Sequence, residues 1–300
     1  MHIAITVIAA PQSKDLLLDA AAALQRELNG GLELYWLAAG EAIDLVLPAG
    51  EAADKEVPAG LKQSVEAAIG NRPLDWCVQP TEGRRKRMLI ADMDSTIIGQ
   101  ECLDEMADLK GIKPQIAALT ERAMHGELDF EAALHERIRL LAGLTPADLQ
   151  RVLEDRITLN PGARTLVHTM NAHGAHTVLV SGGFTFFTHV VAARAGFAKD
   201  RANVFLWENG HLAGVAQPVL GREAKLAALQ EEAAAHGLTP EETIAVGDGA
   251  NDLAMLKAAG LGVAYRAKPV VAAEADVQVK HTGLTALLYF QGYARGSFSG

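Results

Sequence analysis

Residues 88–94 read MLIADMD: four apolar side chains, an acid, one apolar residue and a second acid. A short unbroken apolar run of this kind reads as a strand buried on both faces, the form strands take in a parallel sheet covered by helices. A carboxylate buried there without a partner costs several kcal/mol. Asp92 and Asp94 must therefore stand at an open strand end or against something positive.

The rest of the chain agrees with such a sheet. After residue 88 strands are predicted at 176–181, 243–247, 261–264 and 276–279, alternating with helices at 162–173, 185–195, 222–236 and 250–259 and a further helix at the C-terminus. Alternation of this kind predicts an α/β fold of the Rossmann-like type, a parallel sheet with helices on both faces. Residues 203–215 read as a hairpin turning at Asn209-Gly210. Residues 98–158 carry a helical period and no strand, so they are expected to form a helical cap inserted into a core made of 88–97 and 159–300. Ahead of it, 1–82 has strands at 3–9, 32–37, 42–47 and 74–78 around helices at 14–28 and 61–69. That β-α-β-β-α-β order predicts an α+β ferredoxin-like domain. Residues 83–87 are the expected linker. Their basic run, Arg84 to Arg87, reads as a solvated connection rather than a nucleic-acid patch, because the whole chain carries a net charge of -10.

That charge also argues against nucleic acid or an anionic membrane as a partner. No apolar run approaches the ~18–20 residues a membrane span needs. The N-terminus lacks the basic start of a secretory signal, and the two cysteines suggest neither a disulfide framework nor a zinc site. A cytoplasmic protein is the expectation.

Sites in open α/β sheets form beyond the carboxyl ends of the strands. Three such ends carry reactive groups here: Asp92, Asp94, Ser95 and Thr96; then Ser181, Gly182 and Gly183; then Asp248, Asn251 and Asp252. Four converging acids repel one another, so a hard cation is expected among them, and an all-oxygen donor set suits Mg²⁺. An ionised aspartate beside a divalent ion can attack phosphorus. A second carboxylate two residues on suits proton transfer to and from oxygen. Ser181 and glycine backbone can meet phosphate oxygens, and Lys225 can supply a fixed positive charge. Taken singly, D-x-D is an ordinary solvated loop, SGGF a strand-to-helix turn, GDGAND an Asx turn and Lys225 a surface lysine. Their order, each after an apolar strand, is more specific.

Together DMDST, SGGF, Lys225 and GDGAND resemble the four motifs of the haloacid dehalogenase-like phosphatase superfamily, over roughly residues 88–285. The resemblance implies Asp92 as nucleophile, Asp94 as acid and base, and Mg²⁺ held by Asp92, the backbone carbonyl of Asp94, and Asp248. Ser181 and Lys225 would hold phosphate, and Asn251 and Asp252 would support the site. Met93 stands where the family usually has Phe.

The cap should choose the alcohol. Glu101 begins it and reads either as an acid complementing a helix dipole or as a partner for a substrate ammonium. Phe130, Leu134, Ile138 and Leu141 form a helical stripe, with Arg137 in its angular range. Such an arginine either snorkels or grips a carboxylate through two parallel hydrogen bonds. DMDSTIIGQECLDEMA, AMHGELDFEAALHERIRLL and VLVSGGF resemble the phosphoserine phosphatase branch. By that resemblance Glu101 meets the amino group and Arg137 the carboxylate of phosphoserine. Met124 and Phe130 wall the pocket, and Gly182 contributes backbone. The reaction implied is hydrolysis of phosphoserine, the last step of phosphorylated serine synthesis. The first 82 residues resemble the ACT-like domains fused to some of these enzymes, which leaves room for a homodimer. Phosphoryl transfer to another amino alcohol, hydrolysis of another small phosphate ester, and a phospho-accepting switch remain the alternatives.

Overall fold

The computed structural model describes residues 2–48, 57–124 and 129–300, leaving aside the side chains at 121, 123, 124, 130 and 222. Its first four strands, β1 (Ile3–Ile8), β2 (Glu33–Ala38), β3 (Ala42–Leu47) and β4 (Asp75–Pro80), form an antiparallel sheet in the order β2-β3-β1-β4. With helices Lys14–Glu27 and Leu61–Ile69 the order is β-α-β-β-α-β, as the sequence predicts. Alternation divides the sheet. Ile3, Ile5, Val7, Ile43, Leu45 and Val78 pack under the two helices with Leu17, Leu24 and Val65. Ile8, Ala42 and Cys77 face the other way, into the main core with Leu287 and Phe290 of the C-terminal helix Ala286–Phe290. Both faces are covered, so every residue of β1 is buried.

Polar groups tie this domain to the rest. Asp75 accepts hydrogen bonds from the backbone N–H of Lys280 (2.8 Å) and Thr282 (2.9 Å) and from the Thr282 hydroxyl (2.7 Å). Gln79 donates to the Phe290 carbonyl at 2.6 Å. The basic stretch expected to be solvated is so only in part. Arg84 lies 2.8 Å from Asp44, and Lys86, 8% exposed, donates to the Glu241 carbonyl at 2.7 Å. Arg87 lies 2.8 Å from Glu242. Arg84 and Lys86 are thus held by protein, while Arg85 and Arg87 stay exposed to solvent.

The second sheet is wholly parallel. It comprises β5 (Met88–Asp92), β6 (His176–Phe184), β7 (Lys199–Asn203), β10 (Thr243–Gly247), β11 (Leu261–Tyr265) and β12 (Val277–Val279), in the order β12-β11-β10-β5-β6-β7. The hairpin β8 (Phe205–Glu208) and β9 (His211–Val215) stands apart from it. One face packs helices Ala163–Ala172 and Thr185–Ala195, the other Arg222–Ala235 and Leu253–Ala258. Successive strands run outward from β5 to β7 on one side and from β10 to β12 on the other. β5 and β10 therefore flank the switch point where such folds open a crevice.

β7, the helix expected over 250–259 and a short helix at Pro269–Glu274 that was not predicted depart from expectation. β7, with the sequence KDRAN, was not predicted; it is a polar edge strand, invisible to a search for apolar runs. The helix expected over 250–259 begins only at Leu253, because the Asp252 carboxylate holds the preceding turn by accepting the N–H of Gly249 at 2.9 Å.

Helices Cys102–Leu109, Lys113–Met124, Phe130–Leu141 and Pro146–Asp155 form the insertion. Met106, Ile116, Leu134, Ile138 and Leu141 are buried within it. Leu212 of β9 joins its edge: the Gly143 N–H donates to the Leu212 carbonyl at 3.0 Å, and the Leu212 N–H to the Leu144 carbonyl at 2.7 Å. Among the described residues, no helix is long and apolar enough to cross a membrane.

Candidate active site

β5 delivers its acid through a sharp turn. Asp92 ends the strand in extended backbone and accepts the Met93 N–H at 2.8 Å. Asp94 stays extended, and Ser95 takes a positive φ of 55°, which breaks the helix that would otherwise start. Asn160 pins this turn by donating to the carbonyls of Thr96 (2.8 Å) and Ile98 (3.0 Å). Sequence reading did not single out Asn160; the Asn-Pro pair at 160–161 signals a turn and nothing about its partner.

Lys225 comes from helix Arg222–Ala235 and is 3% exposed. Its Nζ lies 2.7 Å from Asp92 Oδ1 and 2.5 Å from Asp252 Oδ1. Burial works against its charge, but Asp252 and Asp92 together raise its pKa above the usual lysine value. Asp252 is fully engaged, since its Oδ2 accepts from Asp248 N–H (3.2 Å) and Gly249 N–H (2.9 Å). A side chain on Gly247 would strike that carboxylate, its Cβ falling 2.4 Å from the carboxyl carbon, so only glycine fits there.

Asp94 points toward β6 and the insertion. Its Oδ1 accepts the Cys102 N–H at 2.8 Å and its Oδ2 the Ser181 hydroxyl at 3.1 Å. Burial raises its pKa, with the Cys102 and Ser181 hydrogen bonds opposing. Ser181 in turn accepts the Gly183 N–H at 2.8 Å. Asp248, at the tip of β10, accepts the Thr96 hydroxyl at 2.9 Å, and burial and then Asp252 lift its pKa to about 6. Asp92 is raised well above the carboxylate range by burial and Asp252, against the pull of Lys225.

Carboxylate oxygens of Asp92, Asp248 and Asp252 lie within 4.8 Å of one another. The cluster holds more negative charge than Lys225 offsets, and its donors are all oxygen, which fits a hard divalent cation. Asp252 has both oxygens committed. Asp92 spends its Oδ1 on the Met93 N–H and Lys225, and Asp248 its Oδ1 on the Thr96 hydroxyl. Asn251 lies in the same turn, half-buried.

Glu101 and Arg137 stand on the insertion side. Glu101 accepts the Ser95 hydroxyl at 2.6 Å. It keeps an exposed edge, yet the cleft walls and then the Asp94 charge push its pKa to about 7. Arg137 is half-buried and its Nε donates to the Ala133 carbonyl at 3.3 Å. Burial lowers its pKa, while the charges of Glu101, Asp104 and Asp94 pull it back up. Met124 closes one helix and Phe130 opens the next. Their side chains, expected as pocket walls, lie outside the described residues.

Residues 89–257 match the haloacid dehalogenase-like hydrolase family. A phosphoserine phosphatase of Albidiferax ferrireducens is 45% identical over 208 residues, covering 67% of this chain and 88% of that protein. A solved HAD family hydrolase from Salmonella enterica serovar Typhi superposes with a TM-score of 0.84 at 32% identity, covering 96% of this chain and 98% of that one. A solved phospho-aspartyl intermediate analogue of phosphoserine phosphatase gives a TM-score of 0.64 at 34% identity, over 69% of this chain and 99% of that one.

Proposed function

The chain belongs to the phosphoserine phosphatase family of haloacid dehalogenase-like hydrolases, and on that footing we propose that it hydrolyses O-phospho-L-serine through an aspartyl-phosphate on Asp92. The observation that carries this reading is the meeting of Asp92, Asp94, Ser181, Lys225 and Asp248, drawn from distant segments, at one rim of the sheet.

Asp92 attacks phosphorus, and the bond from phosphorus to the serine oxygen breaks. Asp94, whose burial favours its protonated form, gives that oxygen a proton. It then takes one from the water that cleaves the aspartyl-phosphate, releasing phosphate. The Ser181 hydroxyl, the Gly182 backbone and the Lys225 ammonium hold phosphate oxygens, with Asn251 beside them. Mg²⁺, bound by Asp92, the Asp94 carbonyl and Asp248, would supply charge that offsets the phosphoryl oxygens. Asp92 and Asp248 suit this better than Asp252, whose two oxygens are both taken, by Lys225 and by the backbone N–H groups of Asp248 and Gly249. Asp252 instead holds Lys225 and the Asp248 turn.

Arg137 grips the substrate carboxylate and Glu101 its ammonium. Burial and then Asp94 push the Glu101 pKa up to about 7; a substrate cation beside it would favour its charged form. The proposal includes a cytoplasmic location and a homodimer. In support of the latter, edge strand β2 exposes Tyr35 (51%) and Trp36 (38%).

The direct test is Mg²⁺-dependent phosphate release from a panel of phosphoserine, phosphothreonine, phosphoethanolamine and phosphoglycolate, with and without homoserine as acceptor. Phosphoserine should lead, and Asp92→Asn should abolish release. Preference for another ester, or transfer to homoserine, would overturn the substrate assignment.

A further inference from the structure

In the ladder between β6 and β7, Val180 pairs with Arg201 and Phe184 with Asn203. Three residues of β6, Ser181, Gly182 and Gly183, therefore face the single residue Ala202 of β7. A bulge of this kind leaves backbone groups without ladder partners and re-aims side chains. Here it turns the Ser181 hydroxyl toward Asp94.

Asn203 takes up what the bulge leaves over. It is 2% exposed, and its Nδ2 donates to the Gly182 carbonyl at 2.9 Å. Its other contacts go to the segment leading into helix Arg222–Ala235. Nδ2 reaches the Leu220 carbonyl at 3.4 Å, and Oδ1 accepts the Leu220 N–H at 2.7 Å. Five residues after Leu220 comes Lys225. One buried amide thus clips the bulge that carries Ser181 to the start of the helix that carries Lys225.

We propose that Asn203 is a positioning residue that fixes the spacing between the two phosphate-holding groups, Ser181 and Lys225, without touching substrate. A buried amide could serve the fold alone, but its bonds join the two elements that meet at the phosphoryl end. The inference rests on the phosphoryl-transfer reading above and needs only that reading, not the identity of the alcohol.

A double-mutant cycle tests it. Phosphate release is measured for wild type, Asn203→Ala, Ser181→Ala and the double variant, alongside thermal melts. Misplacing a binding group by about an ångström costs up to about a hundredfold in rate. We expect Asn203→Ala to lower kcat about ten- to a hundredfold with KM little changed. The double variant should be no slower than the slower single one, because the spacing that Asn203 fixes between Ser181 and Lys225 matters only while Ser181 is there to use it. Multiplying losses, or wild-type kcat in Asn203→Ala, would overturn the proposal. Should Asn203→Ala fail to fold, Asn203→Asp keeps the acceptor for Leu220 and enters the same cycle. If phosphoserine proves the wrong ester, the cycle is run on the ester that leads the panel, which separates the two failures.

Discussion

Lys225 Nζ lies 2.7 Å from Asp92 Oδ1, with the lysine 3% and the aspartate 6% exposed. This pair decides what the site can do. Burial and Asp252 push Asp92 toward its protonated form, while the Lys225 ammonium pulls the other way; a divalent cation beside it would add to that pull and favour the anion that attacks.

Lys225→Met should therefore damage both fold and rate. Removing one member of a buried ion pair costs about 3–5 kcal/mol, and here it strands Asp92 and Asp252 together. We expect a lower Tm, partly restored by Mg²⁺, and a kcat at least about a hundredfold down. A variant with unchanged Tm and kcat would contradict the role.

Asp94→Asn should leave the melt near wild type, since an amide oxygen still accepts the Cys102 N–H. Loss of proton transfer should slow turnover by about 10²–10⁴-fold. Steady-state release across pH checks this; a variant within a few-fold of wild type would place the proton donor elsewhere.

Arg137→Ala should separate substrates. Losing a charged hydrogen-bonded contact should cost about ten- to a hundredfold in kcat/KM on phosphoserine. Phosphoethanolamine, which has no carboxylate, should be turned over almost as before. Arg137→Lys should not rescue, because an ammonium lacks the planar fork. Equal losses on both esters would mean that Arg137 shapes the cap rather than reads the substrate.

Away from the site, Glu232 offers a test of stability against pH. It is 2% exposed and meets Lys199 (2.6 Å), His176 (3.1 Å) and Arg201. Burial alone would raise its pKa, but Lys199, His176 and Arg201 outweigh burial and hold it at about 2, below the ordinary 4.5. A carboxyl lowered on folding stabilises the protein above its unfolded pKa, and that stabilisation is lost as pH falls toward the folded one. Wild type should melt above Glu232→Gln at neutral pH, with the gap closing between about pH 4.5 and 2. A gap constant across that window would show that the charge is immaterial.

How much of this was legible in the sequence depended on range. Asp92, Asp94, Ser181 and Asp248 follow apolar strands, and a parallel sheet brings its strand tips to one edge, so their meeting could be read directly. The β-α-β-β-α-β order and the hairpin turn at Asn209-Gly210 were equally local signals. Lys225 sits in the first turn of its helix with nothing in its spacing to mark it; its burial follows from which face of that helix meets the sheet. Asn160 and Asn203 act on segments far away in sequence or across a bulge, and neither a bulge nor a side chain's backbone partner leaves a periodic trace. Within the basic stretch Arg84 and Lys86 misled for the same reason, since their partners Asp44 and Glu241 lie in other segments, while Arg85 and Arg87 are exposed as expected.

The nucleophile assignment is the centre of the account. Mixing the Asp94→Asn variant with Mg²⁺ and phosphoserine, quenching in acid, and mapping the phosphoryl group by proteolysis and mass spectrometry tests it most directly. Phosphate on the peptide containing Asp92, absent when Asp92→Asn is added, is the expected result. No phosphoprotein at any time, together with turnover in Asp92→Asn alone, would contradict it.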